Sequence, residues 1–284
     1  MVCNLNKRIG FIQGRLSPLV GGRMQAFPKD YWSEEFSLAE RQGICLMEWT
    51  LDHDALHENP LLTTDGRTEI QRLSDIHQVS IPSLTGDCFM QFPFWKAPKA
   101  QRERLEHDFL AVIDACSIVG IEFVVVPLVD NGSLEAAKEE NVLVEFMERH
   151  VEIFRARKVS ILFESDFVPS ELKRLIKTFP AGVFGINYDT GNSASLGYQF
   201  QDEIEAYGDR ILNVHLKDRL LGGTTVPLGT GNAKLPETIS ALERQGYEGN
   251  YILQTARALD NDHVGAIHRY REMAKDWIGQ ARWN

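Results

Sequence analysis

The chain has 284 residues, 43% of them hydrophobic and 25% charged, a composition able to bury a large core and unlike that of a disordered chain. A formal net charge of −10 and an isoelectric point near 5.3 weigh against a protein that grips a polyanionic backbone, because such affinity comes mainly from basic patches. No nucleic-acid partner is expected, and no membrane partner either, since the longest apolar runs, such as Phe123 to Val129, are far too short to span a bilayer.

The first residues, Met1 to Lys7, lack the apolar run of a signal peptide, and Cys3, Cys45, Cys88 and Cys116 are widely spaced without a CxxC pair. Reduced thiols in a cytoplasmic setting are therefore expected. Arg8 to Gln13 reads as a first strand, followed by a loop from Gly14 to Lys29 and a helix from Ser33 to Gln42 with Ser33 as N-cap. Ile44 to Trp49 gives a second strand with Glu48 near its end, and Asp65 to Gln78 a second helix. Ser80 to Thr85 is the third strand, ending near Asp87, and a helix runs from Pro98 to Ile118 with Gly120 as its stop. The fourth strand, Glu122 to Pro127, is valine-rich and apolar on both faces, as buried parallel strands are.

Helix Leu134 to Arg157 leads into the strand Val159 to Glu164, and helix Pro169 to Thr178 into Phe184 to Asp189. After Gln201 to Tyr207 comes the strand Ile211 to Asp218, then helix Pro236 to Gln245, strand Tyr251 to Gln254, and a last helix from His263 to Trp277. Eight strand–helix pairs with no linker predict an α/β fold, a (β/α)8 TIM barrel filling residues 1–284 as a single domain, with its site at the C-terminal ends of the strands. An open doubly wound sheet would want a glycine-rich phosphate turn after the first strand, which Gly10 and Gly14 do not supply.

Read with period 2, Leu212, Val214 and Leu216 share one face of their strand, while Asn213, His215 and Lys217 share the other. A polar face on a buried strand is costly unless its groups bind each other, a metal or a ligand. Three other strands end in the same manner, at Glu164, Asp189 and Gln254. Singly, each has an ordinary structural role: a core histidine, a carboxylate capping the next helix, a turn at Asp189 to Asn192. Together, two carboxylates, an imidazole and an amide oxygen at equivalent strand ends make a mixed O/N shell suited to one divalent ion, Mn²⁺, Mg²⁺, Co²⁺ or Zn²⁺. Such an ion acidifies the carbon beside a carbonyl and stabilises an enediolate.

These residues sit in familiar motifs. Glu164 at a strand end, Asn187-Tyr188-Asp189-Thr190-Gly191-Asn192, Val214-His215-Leu216-Lys217-Asp218 and Val226-Pro227-Leu228-Gly229-Thr230-Gly231-Asn232 together resemble the sugar phosphate isomerase/epimerase superfamily with a xylose-isomerase-like barrel, which also has abasic-site endonuclease relatives. The likeness spans nearly the whole chain. It implies a divalent metal on Glu164, Asp189 and His215 plus a carboxylate on the eighth strand; in the ketose 3-epimerases of this group the carboxylates on strands five and eight also serve as two bases. This chain departs there, with Gln254 where that glutamate would stand. An amide can offer its oxygen to a metal but cannot take up a proton at neutral pH. Glu164 is left as a single base for 1,2-isomerisation, with Gln254 a neutral fourth ligand.

Lys217 has the inward parity to stabilise an alkoxide, or to pair with Glu48 or Asp189. Asn192 resembles the place where related epimerases put a substrate-binding histidine, and Arg219 an arginine in the loop after the seventh strand. Arg257 follows the eighth strand, at the surface or against a phosphate. Glu48 and Asp87 are expected to complete the pocket wall with Trp49, Phe89 and Met90. The glycine-rich segment Gly222 to Asn232 reads as an anion nest, a lid or a plain turn. The cluster Phe89, Phe92, Phe94 and Trp95 reads as a hydrophobic rim or a subunit contact, which makes a homo-oligomer one expectation. The function expected is a metal-dependent isomerase or epimerase of a small sugar, keto-sugar or sugar phosphate. The alternatives are a metal-dependent dehydratase of a cyclic keto-polyol, of the keto-inositol or dehydroshikimate kind found among relatives by resemblance, and a non-catalytic sugar-binding barrel. The acidic balance and the single strand-end histidine speak against an endonuclease.

Overall fold

The computed structural model describes residues 7–283. Its chain order is β1 (Ile9–Ile12), α1 (Glu34–Arg41), β2 (Leu46–Thr50), α2 (Thr64–His77), β3 (Ser80–Thr85), α3 (Asp87–Gln91), α4 (Lys99–Val119), β4 (Phe123–Leu128), α5 (Ala137–Arg157), β5 (Ser160–Ser165), α6 (Pro169–Lys177) and β6 (Phe184–Asp189). It continues with α7 (Thr190–Leu196), α8 (Phe200–Tyr207), β7 (Ile211–Leu216), β8 (Asp218–Arg219), β9 (Thr225–Val226), α9 (Leu235–Arg244), β10 (Asn250–Leu253) and α10 (His263–Trp283). Eight parallel strands close in the order β1-β10-β7-β6-β5-β4-β3-β2, and β8 and β9 form a separate two-stranded sheet. The expected (β/α)8 barrel is therefore the observed fold. Among the described residues no helix is long and apolar enough to cross a membrane.

Closure follows from the apolar runs: β4 and β5 are buried along nearly their whole length, and the helices cover the outer wall. Gly10 shows how tight the wall is, since a Cβ there would lie 2.8 Å from the Cβ of Leu46 on the neighbouring strand. Helix ends obey local chemistry. The Thr63 hydroxyl accepts from Gly66 N to cap α2, and Gly120, at φ 84°, ends α4 in the left-handed conformation that a Cβ disfavours. Ser33 stands at the start of α1 but makes no side-chain cap bond, contrary to expectation. Cys88 and Cys116 are buried free thiols, and Cys3 lies outside the described residues.

Two aromatic expectations change. Phe94 and Trp95 are core residues rather than a rim or a subunit contact. Phe94 packs 4.6 Å from Phe146 and 6.0 Å from Phe109, centroid to centroid, and Trp95 donates to the Gly132 carbonyl at 3.0 Å. They plug the gap between α3, α4 and α5, where large apolar rings gain most from burial. Trp49 turns away from the barrel interior onto Phe27 and Trp32. Replacing Phe94 by alanine is expected to cost about 3–5 kcal/mol of unfolding free energy without altering the molecular mass in solution. Urea denaturation and light scattering check this, and a loss below about 1 kcal/mol would contradict the core placement.

Candidate metal and substrate site

At the C-terminal mouth of the barrel lies a cavity of about 240 Å³ whose walls include Arg15, Gln25, Thr85, Asp87, Met90, Gln91, Asp130, Glu164, Asn192, Lys217, Arg219 and Gln254. Strand ends deliver most of these side chains, because parallel strands of one barrel all finish at the same face. Registry sets their depth. His215 stands opposite Asp189, and Asn213 opposite Asn187, across the β6–β7 pair.

The carboxylate oxygens of Glu164 and Asp189 and a ring nitrogen of His215 lie within 4.8 Å of one another, a spacing that can hold one ion, and all three residues are buried. Each is fixed by a neighbour. Glu164 accepts from Asn187 Nδ2 on one oxygen and from Asn192 Nδ2 on the other, both at 2.7 Å. One Asp189 oxygen accepts from the backbone N–H groups of Gly191 and Asn192, capping α7, which leaves the other beside Lys217 Nζ at 3.2 Å. His215 Nε2 sits 2.6 Å from Glu48 Oε1, and its Nδ1 lies 3.3 Å from Glu164 Oε2.

Burial by itself would lower the His215 pKa, but Glu48 and Glu164 on either side outweigh it and hold it at about 10. The same pairing keeps Glu48 below the usual carboxylate range although burial opposes it. A carboxylate behind a ring nitrogen is also the arrangement that orients histidine toward a metal, leaving the far nitrogen as donor once its proton departs. Gln254 lines the same cavity. Its Nε2 donates to Gln25 Oε1 at 2.9 Å, while its Oε1 is buried and has no hydrogen-bond partner. An unpartnered buried carbonyl oxygen is costly, and coordination would relieve that cost. Two carboxylates, an imidazole and this amide oxygen fit a divalent ion of the Mn²⁺, Mg²⁺, Co²⁺ or Zn²⁺ type.

The remaining predicted residues divide. Asp87, Asn192, Lys217 and Arg219 line the cavity with Gln254 and Glu164. Asp87 accepts from Gln25 Nε2 at 2.7 Å, and its carboxyl is pushed up to about 7 by burial, with Asp52 and Glu164 adding to the effect. Lys217 takes the ion pair with Asp189 rather than with Glu48. Glu48 is no part of the pocket wall: fully buried, it lies beneath the cavity and gathers Ser83 Oγ, Thr85 Oγ1, Asn213 Nδ2 and His215 Nε2. It stands two residues short of the end of β2, one inward layer deeper than Thr50. Arg257 does not line the cavity either; its guanidinium donates to the carbonyls of Gly14 and Ser17. Of the three residues expected beside Glu48 and Asp87, only Met90 lines the cavity.

The glycine-rich segment does form a ring of inward N–H groups, but its occupant comes from the chain itself. Asp218 accepts from Gly229 N and Gly231 N at 2.9 Å and from Ala233 N at 3.0 Å. Room for a ligand phosphate there is gone, because the carboxylate already neutralises those donors. Sequence reading passed over Arg15, Gln25, Asn187 and the hydroxyls of Ser83 and Thr85. Asn187 and Ser83 stand two residues before Asp189 and Thr85, so the inward period of 2 was a usable signal for them. Arg15 and Gln25 lie in the irregular loop after β1, where no periodicity points anywhere.

A closed eight-stranded parallel barrel with a convergent O/N donor cluster at its C-terminal mouth defines a TIM barrel whose Glu164, Asp189 and His215 could hold a metal ion. The chain belongs to the xylose isomerase-like TIM barrel family, whose model matches residues 36–276. Among solved structures it superposes on D-allulose 3-epimerase from Methylomonas sp. in complex with D-allulose, with a TM-score of 0.75 and 14% identity over 95% of this chain and 96% of that one. The IOLI protein with a bound zinc atom matches with a TM-score of 0.74 and 15% identity over 96% and 98% of the two chains. A xylose isomerase-like TIM barrel protein from Mycobacterium smegmatis in complex with magnesium matches at 0.71 and 14% identity over 98% and 99%. At such identities the likeness shows the fold alone. No curated protein matches the chain in sequence.

Proposed function

We propose that this protein is a divalent-metal-dependent isomerase or epimerase of a small sugar, keto-sugar or sugar phosphate, with Glu164 as its base. The observation that carries the reading is the convergence of Glu164, Asp189 and His215 donors within 4.8 Å at the barrel mouth. Relatives of the same fold point the same way: one is a ketose 3-epimerase in complex with its sugar, and others hold zinc or magnesium. When bound by Glu164, Asp189, His215 and the Gln254 amide oxygen, a divalent ion supplies Lewis acidity toward the carbonyl and hydroxyl oxygens of an α-hydroxy carbonyl compound.

The chain's own groups do the rest. Asn187 and Asn192 hold the Glu164 carboxylate by both oxygens, so it is pre-aimed to remove the proton on the carbon beside the carbonyl and to return it to the adjacent carbon. Lys217, fixed by Asp189 and by Asn192 Oδ1 at 3.2 Å, places a cation where negative charge grows on a substrate oxygen. Gln254 cannot take up a proton, so the second base of a two-base epimerisation is missing at this position. Single-base 1,2-isomerisation fits the site best.

Incubating the manganese-loaded protein with a panel of ketoses in D₂O tests this. Deuterium is expected to enter the carbon beside the carbonyl with no change in carbon skeleton, and Glu164→Gln should slow that exchange by about 10²–10⁴-fold. A product lighter by one water would instead identify a dehydratase. Sugar binding without any exchange would leave a non-catalytic barrel.

A further inference from the structure

The charges around the cavity are sorted by strand. Asp87, Asp130 and Glu164 line it from the ends of β3, β4 and β5, whereas Arg15, Lys217 and Arg219 line it from the side of β1 and β7, with the neutral Gln254 of β10 between them. Such a lining suits a substrate that carries both hydroxyl groups and an anionic group.

Arg15 is the telling residue. It is 3% exposed and makes no ion pair among the described residues. Its Nε donates to Thr255 O at 2.9 Å, one Nη to Met24 O at 2.9 Å, and the other to Gln25 Oε1 at 3.2 Å. A guanidinium has five N–H donors, so two remain. Gln25 bridges Arg15 and Asp87, its amide oxygen accepting from Arg15 and its amide nitrogen donating to Asp87. Burial, with Arg257 close by, outweighs the opposing charges of Asp87 and Glu35 and draws the Arg15 pKa down to about 9. Across β10, the hydrogen-bond partners of Arg219 among the described residues are likewise neutral, the Gly223 carbonyl and Asn192 Oδ1 at 3.0 Å.

We infer that Arg15 and Arg219 form an oxyanion subsite, so that the substrate carries a phosphate or carboxylate group. The glycine-rich loop is not that subsite, since Asp218 fills it. Guanidinium groups suit phosphate and carboxylate because their planar forks offer paired donors. The inference rests on the sugar-isomerase reading for the rest of the substrate but not for the anion itself.

The test titrates the manganese-loaded protein calorimetrically with inorganic phosphate, D-fructose, D-fructose 6-phosphate and D-fructuronate. At least one of the two anionic sugars is expected to bind at least about 10-fold more tightly than D-fructose, and which one does so tells phosphate from carboxylate. Arg219→Met and Arg15→Met should each weaken inorganic phosphate by about 10-fold or more. Should the buried Arg15 variant fail to fold, Arg219→Met alone carries the test. The subsite is overturned if D-fructose binds as tightly as both anionic sugars, or if phosphate affinity is unchanged in every variant that folds. Failure of the isomerase reading looks different: no deuterium exchange with any ketose, yet phosphate affinity still drops in the variants.

Discussion

Replacing Asp189 or His215 by alanine is expected to abolish divalent-cation binding, measured as bound metal per chain by elemental analysis and as affinity by titration calorimetry. Loss of residues that merely support a ligand commonly weakens metal affinity by about 10–100-fold, so removal of a direct donor should exceed about 100-fold. Asp189→Ala also strips the N-cap of α7, because one carboxylate oxygen accepts from Gly191 N and Asn192 N. That loss is worth about 1 kcal/mol. Asp189→Asn separates the effects, since an amide oxygen can still cap the helix but brings no charge to an ion. Gln254→Glu should retain the metal and bind it at least as tightly, because a carboxylate replaces a neutral donor beside the same cluster. Unchanged metal content in both alanine variants would refute the assignment.

The second large effect lies one layer deeper. Glu48→Ala is expected to destabilise the metal-free protein by about 3–5 kcal/mol, the usual consequence of stripping one partner from a buried ion pair. For a chain of this size that shifts the melting temperature on the order of 10 °C. Four groups lose their acceptor at once: Ser83, Thr85, Asn213 and His215. Glu48→Gln keeps the volume but turns an amide N–H₂ toward some of those donors, so it should fall between the two.

The pH dependence has a definite sign. The folded His215 pKa of about 10 exceeds the ordinary 6.5. Its contribution is therefore complete below about pH 6.5 and disappears as pH rises through about 10. Chemical denaturation across that range in wild type and Glu48→Ala isolates it. A variant less than about 1 kcal/mol weaker, or a pH slope unaltered by the substitution, would show that the pair holds nothing together.

Much of the barrel was readable in advance because its causes are local. A short, valine-rich apolar run such as Phe123 to Leu128 favours a buried strand, and Gly120 ends its helix through its left-handed backbone conformation. The inward face Asn213, His215 and Lys217 followed from the period of 2. Boundaries shifted where tertiary contacts intervene. Leu134 to Ala136 stays outside α5, and Asp218 leaves β7 to pair in a separate sheet with β9. Asp189 to Asn192, which taken alone could be a simple turn, is the start of α7, since the same carboxylate that ends a strand can begin a helix.

By itself the sequence determined the alternation of strands and helices, the closing number of eight and the placing of Glu164, Asp189, His215 and Gln254 at strand ends. All of these arise from side-chain patterning within a dozen residues. Tertiary structure alone decided that Glu48 lies under the cavity rather than in its wall, that Phe94 and Trp95 fill the core, and that Asp218 occupies the glycine-rich ring. It also brought Arg15 and Gln25 to the mouth from an irregular loop. Depth in a barrel depends on how each tilted strand is staggered against its neighbours, as when Glu48 aligns with Ser83 and Asp189 with His215. Such alignments join residues far apart in the chain, and no short stretch of sequence encodes them.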